Sequence, residues 1–189
     1  MKRNLIMKLF SLSISFLLIF PAFSQIKKEF ELHENILKVN LSHPDSAFIY
    51  QKCYNIAEDS ILIMEGRLDE KGRSHLWVIN YYPNGIIASE GNFIHGLQDG
   101  VWYYFHQNSE LKEEVHYKNG GLNGWAKVYD ELRNLTEEGN YVDGLKGGYW
   151  YYFKNGEIWQ EGYYDDGIKT GSWKIYENEK LKSVEGYLD

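Results

Sequence analysis

The sequence has one cysteine and three prolines among 189 residues. The lone Cys53 excludes an intramolecular disulfide, so no covalent staple holds the fold. A buried, inert thiol is the plain expectation for it, and a disulfide-linked dimer is the alternative. Basic residues are in the minority, 20 against 27 acidic, for a net charge of −7. The motifs of familiar chemistries are also missing. There is no Gly-x-Ser-x-Gly elbow and no phosphate-binding loop. Gly144 to Gly148 contains glycine and lysine, but it falls where every repeat has a turn. The six histidines, at 33, 43, 75, 95, 106 and 116, have no spacing that suits a metal site. The expectation is a non-enzymatic protein with no cofactor and no metal.

Long apolar runs are confined to the start. Lys2, Arg3 and Lys8 precede the apolar run Leu9 to Phe20, and Pro21-Ala22-Phe23-Ser24 closes it. That order is the signal-peptide pattern, with cleavage expected near Ser24 and export to the periplasm or the extracellular space. The run is shorter than the roughly 20 residues a membrane-spanning helix needs. Without residues 1–24 the chain keeps 17 basic and 27 acidic residues, a net charge of −10. Such a balance opposes nucleic acid and an anionic membrane as partners.

What the sequence has in quantity is aromatic side chains, 16 Tyr, 9 Phe and 6 Trp, with 18 glycines. Aromatics favour strands and glycines mark tight turns. They recur with a period. Phe93, Tyr117, Tyr141, Tyr164 and Tyr187 form one column, and Tyr81, Phe105, Tyr129, Phe153 and Tyr176 another, at spacings of 23 or 24 residues. An apolar column, Ile87, Leu111, Leu135, Ile158 and Leu181, and the pairs Gly96/Gly100, Gly120/Gly124, Gly144/Gly148 and Gly167/Gly171 hold the same register. Repeats of this length build arrays. Each unit reads as a β-hairpin, and a lone hairpin is marginal in water, so the units must lie side by side. The step from 24 to 23 residues is traced to the turn, Tyr82-Pro83-Asn84-Gly85 against Lys154-Asn155-Gly156.

The expected fold is therefore all-β: an elongated antiparallel β-meander of stacked hairpins in one open, solenoid-like sheet, spanning 61–189. Residues 25–60 lack the period and are read as a short N-terminal cap, with strands in Phe30 to Leu41 and either a helix or a strand between Asp45 and Ala57. Simple alternation places Leu111, Glu113, Val115 and Tyr117 on one face of the second strand. It also places Trp125 on the face opposite Trp102, Trp150 and Trp173.

The recurring pattern is Gly-x-Trp-x-Tyr/Phe, then Asn-Gly, then Leu/Ile-x-x-Glu-Gly-x-Tyr, as in Gly171 to Tyr187 and Gly100 to Tyr117. It resembles the variant MORN repeat of bacterial proteins, including the group labelled YwqK-like toxin–antitoxin system antitoxins. The resemblance implies an elongated β-meander used for binding. The chain departs from the pattern at Val115 in place of the glycine, at Val184 in place of the glutamate, and in the second and third full units, which lose the Asn-Gly.

Two columns are candidates for function. Glu90, Glu114, Glu138 and Glu161 recur two strands apart, about 10 Å. That is too far for a shared ion, so they read as a solvated ladder. Tyr103, Lys127, Tyr151 and Lys174, with Phe105, Tyr129, Phe153 and Tyr176 beside them, read as a partly exposed binding strip. The alternative is that these aromatics only cover a thin sheet. The function expected is that of an exported protein-interaction or scaffold module. A protein stands first as partner, polysaccharide or cell wall second, and an antitoxin-like partner binder third.

Overall fold

The computed structural model describes residues 27–33, 36–42, 49–55, 61–69 and 71–187. The expected leader lies outside them. Fourteen strands follow one another: β1 (Lys27–His33), β2 (Ile36–Ser42), β3 (Ile49–Asn55), β4 (Ile61–Leu68) and β5 (Ser74–Tyr81). Then come β6 (Ile87–Ile94), β7 (Leu97–Phe105), β8 (Leu111–Lys118), β9 (Gly121–Tyr129) and β10 (Leu135–Val142). The series ends with β11 (Leu145–Lys154), β12 (Glu157–Asp165), β13 (Ile168–Glu177) and β14 (Lys180–Tyr187). They form one open sheet in sequence order, each strand hydrogen-bonded to its chain neighbours. This is the all-β meander that the periodicity implies. The segment read as a cap supplies β1 to β3, which pair onto β4 and extend the sheet. Of the stretch left open between helix and strand, Ile49–Asn55 is strand. The rest of it lies outside the described residues.

The sheet is not flat. Between β6 and β7, Gly91 pairs Trp102 but Asn92 pairs Asp99, so β7 holds two extra residues, Gly100 and Val101. The same two-residue excess recurs in β9, β11 and β13. Gly100, Gly124, Gly148 and Gly171 sit there, all at positive φ. The strand turns a corner at this point. Gln98 Nε2 donates to Tyr104 Oη at 3.1 Å, and Lys146 Nζ to Tyr152 Oη at 3.0 Å, although each pair is six residues apart. On a straight strand those residues would stand about 20 Å apart.

The core lies inside the corner. Trp102 is 1% exposed, and Trp150 and Trp173 are fully buried. Around them pack Phe93, Tyr104, Tyr117, Tyr141, Tyr152 and Tyr164. Lys146 Nζ and Lys169 Nζ close the cover, each 3.9 Å from the ring centre of Trp150 or Trp173. Each indole also settles a polar group: Trp102 Nε1 donates to the Asn92 carbonyl, Trp150 to Asn140 and Trp173 to Tyr163, at 2.9 to 3.1 Å. Those carbonyls lie beside the bulge, where the regular ladder skips, and a buried unpaired carbonyl costs about 1–3 kcal/mol.

Each indole lies flat against a glycine of the preceding strand. A Cβ on Gly91 would fall 2.5 Å from Trp102, one on Gly139 2.3 Å from Trp150, and one on Gly162 2.2 Å from Trp173. The two irregular residues of the repeat turn out to be one compensated change. Val115 takes the glycine position, and its partner across the ladder is Ala126 instead of a tryptophan. Volume is conserved while its location moves. Trp125 stands on the other face, as alternation implies, and packs against His116 with the rings tilted and their centres 4.7 Å apart.

One expectation fails. In β8 the register shifts by a single residue between Tyr104↔Glu113 and Phe105↔Leu111. A one-residue bulge reverses the facing of everything beyond it. Leu111 therefore lies with Phe105 on the face opposite Val115 and Tyr117, not with them. The 24-to-23 step does arise in the turns, since Asn155-Gly156 and Asn178-Glu179 are two-residue turns with both residues at positive φ.

Two predictions follow from this geometry. Ala126→Trp alone should destabilise by about 3 kcal/mol or more through overpacking. Val115→Gly with Ala126→Trp should recover at least about 2 kcal/mol of that, read as the coupling in a double-mutant cycle of urea melts. Leu76 occupies the corner position that glycine holds in the later repeats, at φ 61°. Arg133 lies in a turn at φ 66°. The left-handed region costs a side chain about 1–2 kcal/mol. Leu76→Gly and Arg133→Gly should each raise the melting temperature, by about 1 kcal/mol of stability in calorimetry.

Candidate functional site

The residues singled out from the sequence lie on the outer face, away from the buried Trp102, Trp150 and Trp173. Strand pairing sets them in one transverse row. Glu90 pairs Tyr103, and Tyr103 pairs Glu114. Glu114 pairs Lys127, and Lys127 pairs Glu138. Glu138 pairs Tyr151, Tyr151 pairs Glu161, and Glu161 pairs Lys174. The expected strip and the expected glutamate column are thus the odd and even members of a single line. A second row runs beside it nearer the turns, with Phe105 opposite Leu111, Tyr129 opposite Leu135, Phe153 opposite Ile158 and Tyr176 opposite Leu181. Lys174 is exposed, and the other seven strip residues are half-buried.

The charges are unevenly matched along the row. Glu161 is held by Lys174 Nζ at 2.9 Å and by the Tyr176 hydroxyl at 2.9 Å. The lysine, then the tyrosine, keep its carboxyl below the usual range against the opposing effect of burial. Lys127 reaches Glu138 only at 4.0 Å. Glu65, at the start of the row, accepts from Tyr81 at 2.6 Å and Tyr50 at 2.7 Å and pairs with Lys52 at 2.9 Å. Burial would raise its pKa, but these hydrogen bonds outweigh that and bring it down to about 2. Glu90 accepts from the Trp77 indole at 3.2 Å. Among the described residues neither Glu90 nor Glu114 is part of an ion pair.

Alternation alone misses some of the most exposed aromatics. Trp77 and Tyr149 are 40% and 59% exposed, and Tyr163, which packs edge-on against Tyr149 at 5.5 Å, is 43% exposed. Trp77 and Tyr149 stand at the corner, each directly before a core residue, the position that Trp125 holds in its own repeat. The signal available was their place between the corner and the core residue, as in Gly148-Tyr149-Trp150. With Trp125, Tyr149 and Tyr151 edge an open recess of about 420 Å³ that also takes in Lys127 and Glu138. A counterpart of about 370 Å³ lies by Trp77, Ile79 and Glu65. Among the described residues no group of three or more His, Cys, Asp or Glu side chains is placed to hold a metal ion.

Residues 78–95 and 98–119 match the family model described as the MORN repeat variant. The chain therefore carries MORN-type repeats there, in the two hairpin repeats that run from β5 to β8. The same columns continue through β14. No curated protein matches the chain.

Glu65 gives the row a pH signature. Its folded pKa of about 2 lies below the ordinary 4.5. The stabilisation is complete above the unfolded value and is lost as pH falls from 4.5 toward 2. Glu65→Gln should cost about 2 kcal/mol at neutral pH and flatten the acid limb of the stability curve. Denaturant melts of both proteins from pH 7 to pH 2 check this, and curves that stay parallel would contradict it.

Proposed function

We propose that this protein is an exported, non-catalytic interaction module whose working surface is the outer face, with a protein partner lying across the repeats. The observation that carries this reading is the division of labour between faces. The tryptophans that hold the sheet are buried on one side, while the outer row keeps Tyr103 and Tyr151 half-buried beside carboxylates and lysines. Accessible rings beside polar groups suit a protein interface, where tyrosine is a frequent anchor. The MORN-type repeats support a binding role, since a repeat array presents one surface many times. Export rests on the leader pattern. An antitoxin role is a special case of protein binding, and the same leader argues against it, because a toxin acting in the cytoplasm would be out of reach.

A second reading, a polysaccharide or cell-wall binder, is favoured by the recess between Trp125, Tyr149 and Tyr151, whose rings could stack on sugar. Retention on peptidoglycan or an insoluble polysaccharide would support it.

Tyr103→Ala and Tyr151→Ala test the leading reading. Each should keep the β-sheet circular dichroism signal and lose no more than about 1–2 kcal/mol, because the rings are only half-buried. Each should also abolish capture of the partner from native cell envelope. Unfolding would show that the rings are structural, and full capture by folded variants would place the working surface elsewhere.

A further inference from the structure

The outer row is unevenly compensated, and its open section has a defined spacing. Glu90 and Glu114 flank Tyr103 directly across the strands. Each carboxylate has Tyr103 on one side. On the other side Glu90 has the Trp77 strand, with the indole donating to its Oε2, and Glu114 has the strand that carries Trp125 and Lys127. Lys127 stands opposite Glu114 in register, yet its ammonium pairs with Glu138. Elsewhere the row supplies its own cations: Lys52 for Glu65 and Lys174 for Glu161. Among the described residues of the row, only the section from β5 to β8 sets aromatic rings beside carboxylates that form no ion pair.

We infer that this section binds a protein segment in polyproline-type extended conformation that presents two arginines three residues apart, one to Glu90 and one to Glu114, with Tyr103 between them. The inference rests on the outer face being the working surface. Arginine fits better than lysine because its planar guanidinium can stack on a ring while donating to a carboxylate. Spacing fixes the conformation. The two carboxylates stand two strands apart, about 9.6 Å. A polyproline helix brings residues i and i+3 onto one side at about 9.3 Å. A β-strand places same-side residues at about 6.6 or 13 Å, and neither spacing fits the carboxylate pair. The charge also selects against other occupants. Acidic segments and anionic lipid are repelled, and a single cation cannot bridge carboxylates this far apart.

The probe is a fluorescent peptide, Pro-Pro-Arg-Pro-Pro-Arg-Pro-Pro, titrated with the folded protein by anisotropy at low salt. A peptide of the same composition with the arginines four residues apart and one with citrulline at both positions are the controls. The three-residue spacing should bind about tenfold more tightly than the four-residue spacing, and the citrulline peptide should not bind. Glu90→Gln and Glu114→Gln should each weaken binding about tenfold with unchanged circular dichroism. Glu185→Gln, on the opposite face across from Trp173, should leave binding intact. Equal affinity for both spacings, equal losses at all three glutamates, or no binding would overturn the inference. If Tyr103→Ala and Tyr151→Ala abolish partner capture while the peptides show no spacing preference, the inference fails and the outer-face reading stands. If those variants capture the partner normally, the outer-face reading fails instead.

Discussion

The interaction on which the rest depends is an indole laid against a glycine across two strands. A single sheet exposes both faces to water, and that is ordinarily too little burial to hold it together. Here the strand folds over at a two-residue bulge and encloses a tryptophan between its own two arms. The corner needs a residue at positive φ, a position held by Gly100 and Gly148 and, in β5, by Leu76. It also interrupts the regular ladder beside the Asn92 and Asn140 carbonyls. The same indole fills the corner and donates to that carbonyl. Packing and polar satisfaction are met by one side chain, so the glycine, the tryptophan and the glycine under it recur as a set.

The exception at the third full repeat supports this account. A valine beneath a tryptophan would overlap it by more than 1 Å, given the positions a Cβ would take at Gly91 or Gly162. The chain instead puts Val115 opposite Ala126 and moves the indole to position 125, on the other face. The core loses an aromatic ring, and the outer face gains a partner for His116 and a wall for the recess. A repeat can therefore trade core burial for surface aromatic area without breaking the array. Each strand contacts its neighbours in sequence order, so the trade stays local.

The fold was legible because period and glycine spacing specify hairpins independently of side-chain detail. Lys127 and Tyr151 were legible as one row for the same reason. What escaped was facing. A two-residue bulge preserves parity and leaves the columns readable, which is why Trp102 and Trp150 were placed correctly. A one-residue bulge reverses parity, which is why Leu111 was not. Counting columns cannot distinguish the two, because both occur once per repeat and leave the period unchanged. Trp77 and Tyr149 escaped for a different reason: the position before the core residue, which Trp125 also holds, is not aromatic in every repeat, since Val101 and Ser172 stand there. Val115 and Trp125 were visible as irregular, but the pairing of Val115 with Ala126 across the ladder is a matter of register, which the period alone does not supply.

The same construction separates the spacing of the outer face from the length of the repeat. Whether a unit has 24 residues or 23, its glutamate returns after two strands, because the difference is absorbed in the turn, as at Asn155-Gly156. A ligand lying across the strands meets the spacing of the hydrogen-bond ladder and never the length of the loops. Turns can then vary freely, as Pro83-Asn84-Gly85 and Glu131-Leu132-Arg133 do, while the surface stays in step. On the proposed reading, selectivity comes from which positions of the row are already neutralised. Lys174 closes the end at Glu161, Lys52 closes the start at Glu65, and between them Tyr103 separates two carboxylates that form no ion pair among the described residues.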